Sequence, residues 1–410
     1  MKKLLFVSQV WPEPHSSAAG SRVLQLCNLF LGKNYEIIYA STASPSNFAV
    51  NLEDINIKKQ SIISNDSSFD DFIQYAKPEI VIFDRFTTEE QFGWRVAEFL
   101  PESLRILDTE DLHFLRKARQ QAILEKQKFL KEDLHSDTAK REIASILRCD
   151  LSLIISDAEM ELLQNQFKID KNLLFYLPFL LKKIPENLSE KRLSFEDRKH
   201  FVNIGNFRHP PNLDVVLYLK EKIWPLVREK LPETEMHVYG AYPPKKIMAL
   251  DSSKTGFLIK GRAEDAKNML SRARILLSPL RFGAGLKGKF IDAMQVGTPC
   301  VTTKIGAEGI PGDLPWAGII SNTPEEIAEA AVKLYQDKIE WQRSQQAGFE
   351  IINNRFQKSG FDEVFMERIE WLRKNLKTHR NENFLGSMLM HHNLQSTKYM
   401  AKWIEEKNKS

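Results

Sequence analysis

The chain has 410 residues, too long for one ordinary core and suited to two or three domains. Hydrophobic residues make up 42% and charged residues 27%, which excludes a disordered chain and reads as soluble and globular. The net charge is +4, from 58 basic and 54 acidic residues, with no strong basic run, so no nucleic-acid partner is expected. The three cysteines, Cys27, Cys149 and Cys300, stand far apart with no CxxC or Cys/His zinc spacing, which fits a reducing compartment.

The first residues, MKKLLFVSQV, have an apolar run too short for a secretory core, so 4–10 reads as a buried strand. A Pro/Gly/Ser loop follows over 11–21, then an apolar-periodic helix over 22–30 and a strand over 35–40. A weaker strand covers 55–63, a helix 68–77, a continuous apolar strand 79–83, a helix 88–99 and a short strand 105–107. From 112 to 147 the pattern is long, helical and highly charged, and the region 113–142 within it is a mixed-charge candidate for peripheral membrane contact. A strand at 150–155, a helix at 158–167 and an apolar segment at 173–179 follow. Composition then turns polar over 181–199, which reads as a linker.

Alternation resumes with strands at 201–204, 236–239, 257–260 and 274–279, and helices at 212–231 and 264–272. After the helix that follows residue 285 come a strand at 300–303, the segment 318–320, helices at 324–337 and 340–353, which complete the alternation, and helical residues from 360 to 410. Two open α/β units in series are expected, each binding ligands at the carboxyl ends of its strands, with a cleft between them. No window of about 18 apolar residues occurs, so no membrane span is expected.

The stretch 276–310 carries the most chemistry. An apolar strand breaks at Phe282-Gly283-Ala284-Gly285, and a helix follows with Lys287 and Lys289 near its start and Asp292 a turn later. A strand, a glycine turn and a helix N-terminus aim free N–H groups and the positive helix dipole at one place. A nucleotide diphosphate is expected there. Earlier, Asp108-Thr109-Glu110-Asp111-Leu112-His113 places acidic residues and a histidine at a strand end. An imidazole there binds hydroxyls or carries a proton near neutral pH, with Asp111 orienting it or capping the helix. Ser156-Asp157-Ala158-Glu159 reads as a helix cap and no more, and Ser17 as a cap of the first helix.

These residues carry a resemblance. The run from Val202 to Asn212 resembles the strand-turn that opens the C-terminal domain of GT-B-fold retaining glycosyltransferases (group 1, family 4-like). The run 279–309 resembles their donor-site core, and the loop 11–22 their first glycine loop. The resemblance implies an α/β, GT-B architecture: two Rossmann-like domains facing across a cleft, with C-terminal helices crossing back. It implies an acceptor-binding domain at 1–180, a linker at 181–199, a donor-binding domain at 200–358 and returning helices at 359–410. It implies a hexosyltransferase that takes a nucleotide-diphosphate sugar as donor and a sugar or glycolipid as acceptor, with retention, in surface polysaccharide or glycolipid synthesis. The implied place is cytoplasmic, with peripheral contact at the inner face of the membrane. No cofactor and no metal are expected.

By the same resemblance, Arg208 and Lys287 meet the diphosphate and His113 lies in the cleft by the sugar; these three are the expected catalytic residues. Gly20, Gly283, Ala284, Gly285, Leu286 and Lys289 are expected at the donor, and Asp292 on its ribose hydroxyls. Glu308 is expected near base or sugar, with a purely structural turn as the equal alternative. The family carries two glutamates eight positions apart. Asp292 stands at the second, and Ala284 stands at the first, where the family contacts the donor sugar. Backbone N–H groups of the 283–286 turn are the expected substitute. Two other readings stay open: a GT-B-fold sugar-nucleotide epimerase, and a non-catalytic nucleotide-sugar-binding homologue. The sugar, the base, the acceptor and the oligomeric state are not read from the sequence.

Overall fold

A computed structural model of the protein describes residues 2–44, 46–185 and 192–409. Seven parallel strands form the first sheet: β1 Lys3–Ser8, β2 Glu36–Ser41, β3 Ile57–Ser61, β4 Ile80–Asp84, β5 Leu104–Asp108, β6 Leu151–Ile154 and β7 Leu174–Tyr176. Their spatial order is β3-β2-β1-β4-β5-β6-β7. Six parallel strands form the second: β8 Lys199–Ile204, β9 Met236–Tyr239, β10 Phe257–Gly261, β11 Ala273–Leu277, β12 Cys300–Thr302 and β13 Gly318–Ile320. Their order is β10-β9-β8-β11-β12-β13. Leu4, Leu5, Phe6 and Val7 are all fully buried, as are Ile80, Val81, Ile82 and Phe83. Such runs have no polar face because helices cover both sides of a parallel sheet.

In each sheet the winding reverses once, between β1 and β4 and between β8 and β11. A crevice opens at that point, at the carboxyl ends of the strands. The segments leaving these strands are the loop after Ser8, Arg85 after β4, the Gly205–His209 turn after β8 and the glycine turn after β11. All four line one cleft.

The helical pattern over 112–147 is two helices, not one. Residues His113–Leu124 and Asp137–Arg148 are separated by a loop and a short turn at Lys131–Leu134. Ser136 accepts from Ala139 N at 3.2 Å and so starts the second helix as its N-cap. The loop at 11–21 is also shorter than expected, since a helix runs over Ala18–Leu31 with Ser17 accepting from Gly20 N. Helix 212–231 is interrupted by a wider π turn at Leu219–Ile223, just before Pro225. Residues 186–191 of the expected linker lie outside the described residues.

The last helices, Asp362–Glu382 and Phe384–Lys409, cross back to the first sheet. Phe365, Ile369, Leu372 and Leu376 join the same core as Leu4, Phe6, Ile82 and Leu104. Arg380 fastens the first of these helices: Nε donates to Asp150 Oδ1 at 2.7 Å and Nη2 to Oδ2 at 2.8 Å. Asp150 is 2% exposed and its carboxyl is held below the usual range, because Arg105 and Arg380 outweigh its burial. Among the described residues no helix is long and apolar enough to cross a membrane.

Removing one partner of a buried pair leaves the other charge stranded. Arg380→Ala is therefore expected to destabilise the protein by about 2–4 kcal/mol. Lys2→Ala, which removes only an exposed pair with Glu370, should cost under about 1 kcal/mol. Urea unfolding midpoints compare the two, and equal midpoints would contradict the anchoring role of Arg380.

Candidate active site

The cleft between the two sheets has a volume of about 590 Å³ and draws its walls from both halves of the chain. On the second half stands the turn 283–287. Its helix, Gly288–Gln295, begins after Lys287, which is the N-cap residue and not a first-turn residue. Gly288 must lack a side chain because a Cβ there would come within 2.4 Å of Ala18 Cβ on the facing half. Gly285 has φ +61, and a Cβ would lie 2.8 Å from Asp111 Cβ. The glycine turn thus touches the first half directly.

Lys287 is 8% exposed, and its Nζ has no hydrogen-bond partner. Glu308 Oε2 is 4.0 Å away, and burial lowers the amine to about 8. Lys289 donates to Asn212 Oδ1 at 2.9 Å and to Ser278 Oγ at 3.2 Å, and burial lowers it to about 7. Asp292 is partly exposed, 4.0 Å from Lys267, and burial raises it to about 6. The Arg208 guanidinium lies over the Tyr242 ring, 3.6 Å from its centre. Arg281 pairs with Asp214 and does not line the cleft.

Several expected positions sit differently. Glu308 does not line the cleft: Arg119 grips both its oxygens, at 2.7 Å each, from the opposite half. Gly285 N–H is not free for a ligand, since it donates to Glu159 Oε1 at 2.8 Å. Gly20 lines the cleft, but the space its missing side chain leaves is filled by the Glu13 backbone, 2.6 Å from an ideal Cβ. Ala284 and Leu286 line the cleft, and Ala284 also packs into the apolar cluster of the first half. Gly283 lends its carbonyl to Arg119 Nη1 at 2.8 Å.

His113 lines the cleft, with Nε2 3.3 Å from Asp111 Oδ1 and its ring edge-on to Phe86. Burial lowers it to about 4, and Arg116 and Arg85 oppose the pull of Asp111. Its ring is therefore neutral near pH 7, the form that can bind a hydroxyl or accept its proton. Asp111 is shared with Arg116, whose Nε donates to Oδ2 at 2.7 Å. Asp111 orients His113 and does not cap its helix. Glu142 takes the N–H groups of His113 and Phe114 at 3.1 and 2.9 Å, and Glu159 takes that of Leu112 at 2.9 Å.

Glu159 is the residue that sequence reading undervalued. One oxygen joins Leu112 N on the first half to Gly285 N on the second. The carboxyl is 1% exposed, and burial next to Asp111 raises it to about 7. A glutamate at the head of a helix gave the only sequence signal, and it pointed to a cap. Further links across the cleft are Tyr242 Oη to Glu13 Oε1 at 2.9 Å and the Arg355–Asp157 pair.

Residues 198–337 match the family model described as "Glycosyl transferases group 1". The chain is similar over most of its length to two solved structures. Sucrose-phosphate synthase from Thermosynechococcus elongatus is 12% identical, with TM-score 0.67, over 91% of this chain and 99% of that one. Anabaena Alr3699/HepE in complex with UDP is 14% identical, with TM-score 0.64, over 91% and 100%. The chain has the GT-B fold, and its residues 198–337 are similar to the group 1 glycosyltransferases. An uncharacterized 44.6 kDa protein in the cps region of Klebsiella pneumoniae is 26% identical over 113 residues. That match spans 26% of this GT-B chain and 29% of the relative. Among the described residues of this GT-B chain one group has metal-ligating composition, His200, Glu235 and His237, at the amino ends of β8 and β9 and outside the cleft.

Arg119 joins the two halves twice, through Glu308 and through the Gly283 carbonyl. Arg119→Ala is expected to weaken the closed arrangement by about 1–3 kcal/mol. Small-angle scattering should then show a larger radius of gyration than wild type, while circular dichroism stays unchanged. An unaltered radius would mean that Arg119 does not hold the halves together.

Proposed function

We propose that this GT-B protein transfers a hexosyl group, with retention, from a nucleotide-diphosphate donor to an acceptor hydroxyl. The single observation that carries the reading is Lys287. Its buried ammonium, at the head of a helix facing a cleft, has no hydrogen-bond partner, and the Glu308 carboxylate 4.0 Å away, already gripped by Arg119, offsets its desolvation only in part. A diphosphate would supply the missing negative charge, and Lys287, the helix dipole and Arg208 would stabilise it as it leaves. The C1–O bond to phosphate breaks on the face where the acceptor oxygen bonds, and the departing phosphate takes the acceptor proton. Neutral His113 then serves as a hydrogen-bond partner for a sugar hydroxyl. Lys289 would hold the donor turn to Asn212 and feel the phosphate charge, and Asp292 would take the ribose hydroxyls. No metal is required where these cations neutralise the diphosphate.

The partition 1–180, 181–199, 200–358 and 359–410 belongs to the same proposal, with the acceptor on the first part and the donor on the third. The relative in the cps region supports surface polysaccharide as the product, and UDP bound in the HepE complex supports a nucleotide donor. Cytoplasmic action on a glycolipid at the inner face of the membrane fits that role.

Lys287→Ala and Arg208→Ala are each expected to lower the transfer rate by about tenfold to thousandfold. Turnover like wild type in both would remove the phosphate assignment, and epimer formed from a nucleotide sugar without acceptor would replace transfer with epimerisation. Asp292→Ala should weaken binding of free nucleotide, and unchanged affinity would contradict the ribose role.

Binding should also depend on pH with a defined sign. The diphosphate favours protonated Lys287 and Lys289, whose amines stand at about 8 and 7 without ligand. Affinity for a nucleoside diphosphate is therefore expected to fall as pH rises from about 7 to 9, by up to about tenfold per unit for each lysine. Calorimetry in two buffers of different ionisation enthalpy should show proton uptake near pH 8. Lys287→Met should reduce that uptake, and equal uptake in the variant would exclude Lys287 as its source.

A further inference from the structure

Two carboxyl groups on the first half of the chain have no part in the scheme above. Asp84 ends β4 and pairs in register with Asp108 of β5, and Glu110 stands two residues beyond β5. Both line the cleft. Asp84 is 2% exposed; its Oδ2 accepts from Ser8 Oγ at 2.5 Å and Arg85 Nη1 at 2.9 Å, while its Oδ1 is buried with no partner. Glu110 Oε1 is likewise buried with no partner. Leaving such oxygens unmatched costs stability, and in native proteins it calls for an explanation. The backbone holds the groups in place: Arg85 and Glu110 have φ +69 and +61, in the left-handed region that neither residue type favours.

The surrounding charge decides what these oxygens can bind. Arg22 is committed to Asp108, through Nη2 to Oδ1 at 2.9 Å and Nε to Oδ2 at 3.2 Å. Arg85 is committed to Asp84. Two arginines thus face three carboxyls, and Glu110 makes no ion pair with either. Burial, with Asp108 close by, raises Glu110 to about 8, so it carries its proton near pH 7. Together the two groups offer one proton donor and one acceptor. A phosphate would be repelled by Asp84, and a metal cation by Arg22 and Arg85. A pair of neutral hydroxyls fits both.

The position fits as well. A Cβ on Gly285 would lie 3.1 Å from Glu110 O, so Glu110 adjoins the turn in which Ala284 stands. We propose that Asp84 and Glu110 form a subsite for neighbouring hydroxyls of a sugar ring, supplied from the first half of the chain in place of a carboxylate at position 284. This rests on the nucleotide-sugar reading, and the ring belongs either to the donor or to the acceptor.

Calorimetry on the full chain separates these cases. The wild type is first titrated with UDP, GDP, ADP and dTDP, then with the hexose derivative of whichever nucleotide binds. A second series adds methyl glucoside, galactoside or mannoside to protein saturated with that nucleotide. Asp84→Asn and Glu110→Ala are expected to keep nucleotide affinity and to lose about tenfold or more in one sugar series. Glu110→Gln, which keeps a donor group at the same reach, should lose less than Glu110→Ala. Loss with the nucleotide hexose assigns the subsite to the donor, and loss with the methyl glycosides assigns it to the acceptor. Variants that bind nucleotide and every sugar as wild type does overturn the subsite alone. A wild type in which the sugar adds no affinity in either series also overturns it. A wild type that binds none of the four nucleotides sinks the donor reading and the subsite with it.

Discussion

The single carboxylate of Glu159 is the constraint on which the cleft depends. It lies 1% exposed and accepts one N–H from each half of the chain, Leu112 and Gly285. Both amides belong to segments that turn sharply at the carboxyl end of a strand. Neither amide has a backbone partner there, and an unpaired buried N–H is costly. One side chain answers both, so the glycine turn and the histidine-bearing helix are set against each other. Arg119 repeats this logic nearby, gripping Glu308 with one fork and the Gly283 carbonyl with the same nitrogen.

Around that anchor the charged groups fall into two kinds. Asp108, Asp111, Asp150 and Glu308 all have arginine partners at 2.7–2.9 Å, and their work is internal. Lys287 Nζ and Asp84 Oδ1 are buried and unmatched, and both border the same cavity. In a site of low dielectric an unmatched polar atom is more expensive than a matched one, yet it also interacts more strongly with a ligand. The distribution is not uniform over the wall: the open cation stands on the second half and the open carboxyl oxygens on the first. A ligand with an anionic end and a hydroxylated end satisfies both walls at once.

The sequence was most readable where a local rule governed it. Short, fully apolar runs such as Leu4–Val7 and Ile80–Phe83 fit strands covered on both sides, and eleven of the described strands were read as strands, β7 and β13 falling in segments not assigned as such. The glycine turn and its helix were legible because Gly285 and Gly288 are demanded by φ and by close approach. The break between Leu124 and Asp137 was missed because charged residues on both sides keep helical composition while the chain turns. Glu159 and Glu308 were misjudged for a different reason. Each finds its partner more than a hundred residues away, 126 positions for Gly285 and 189 for Arg119, and no local spacing encodes that. The lowered His113 was hidden for the same cause, since burial belongs to the assembled cleft and not to the residue type.

The alanine at position 284 gains a physical reason from this packing. Its methyl group joins the apolar cluster of the first half, beside a turn whose neighbour Gly285 already abuts Asp111. A glutamate side chain at that point would enter a region holding Glu159, Asp111 and Glu110, where two carboxyls are already raised to about 7 and 8 by burial and by acidic neighbours. A fourth carboxyl would add like charge in low dielectric, where Arg116 is already held by Asp111 and Arg119 by Glu308, and it would compete with a ligand for Lys287. The same acidic crowding that accounts for a small residue at 284 places carboxyl oxygens on the facing wall. Loss of the charge from the turn and its presence at the strand ends are therefore two sides of one electrostatic condition.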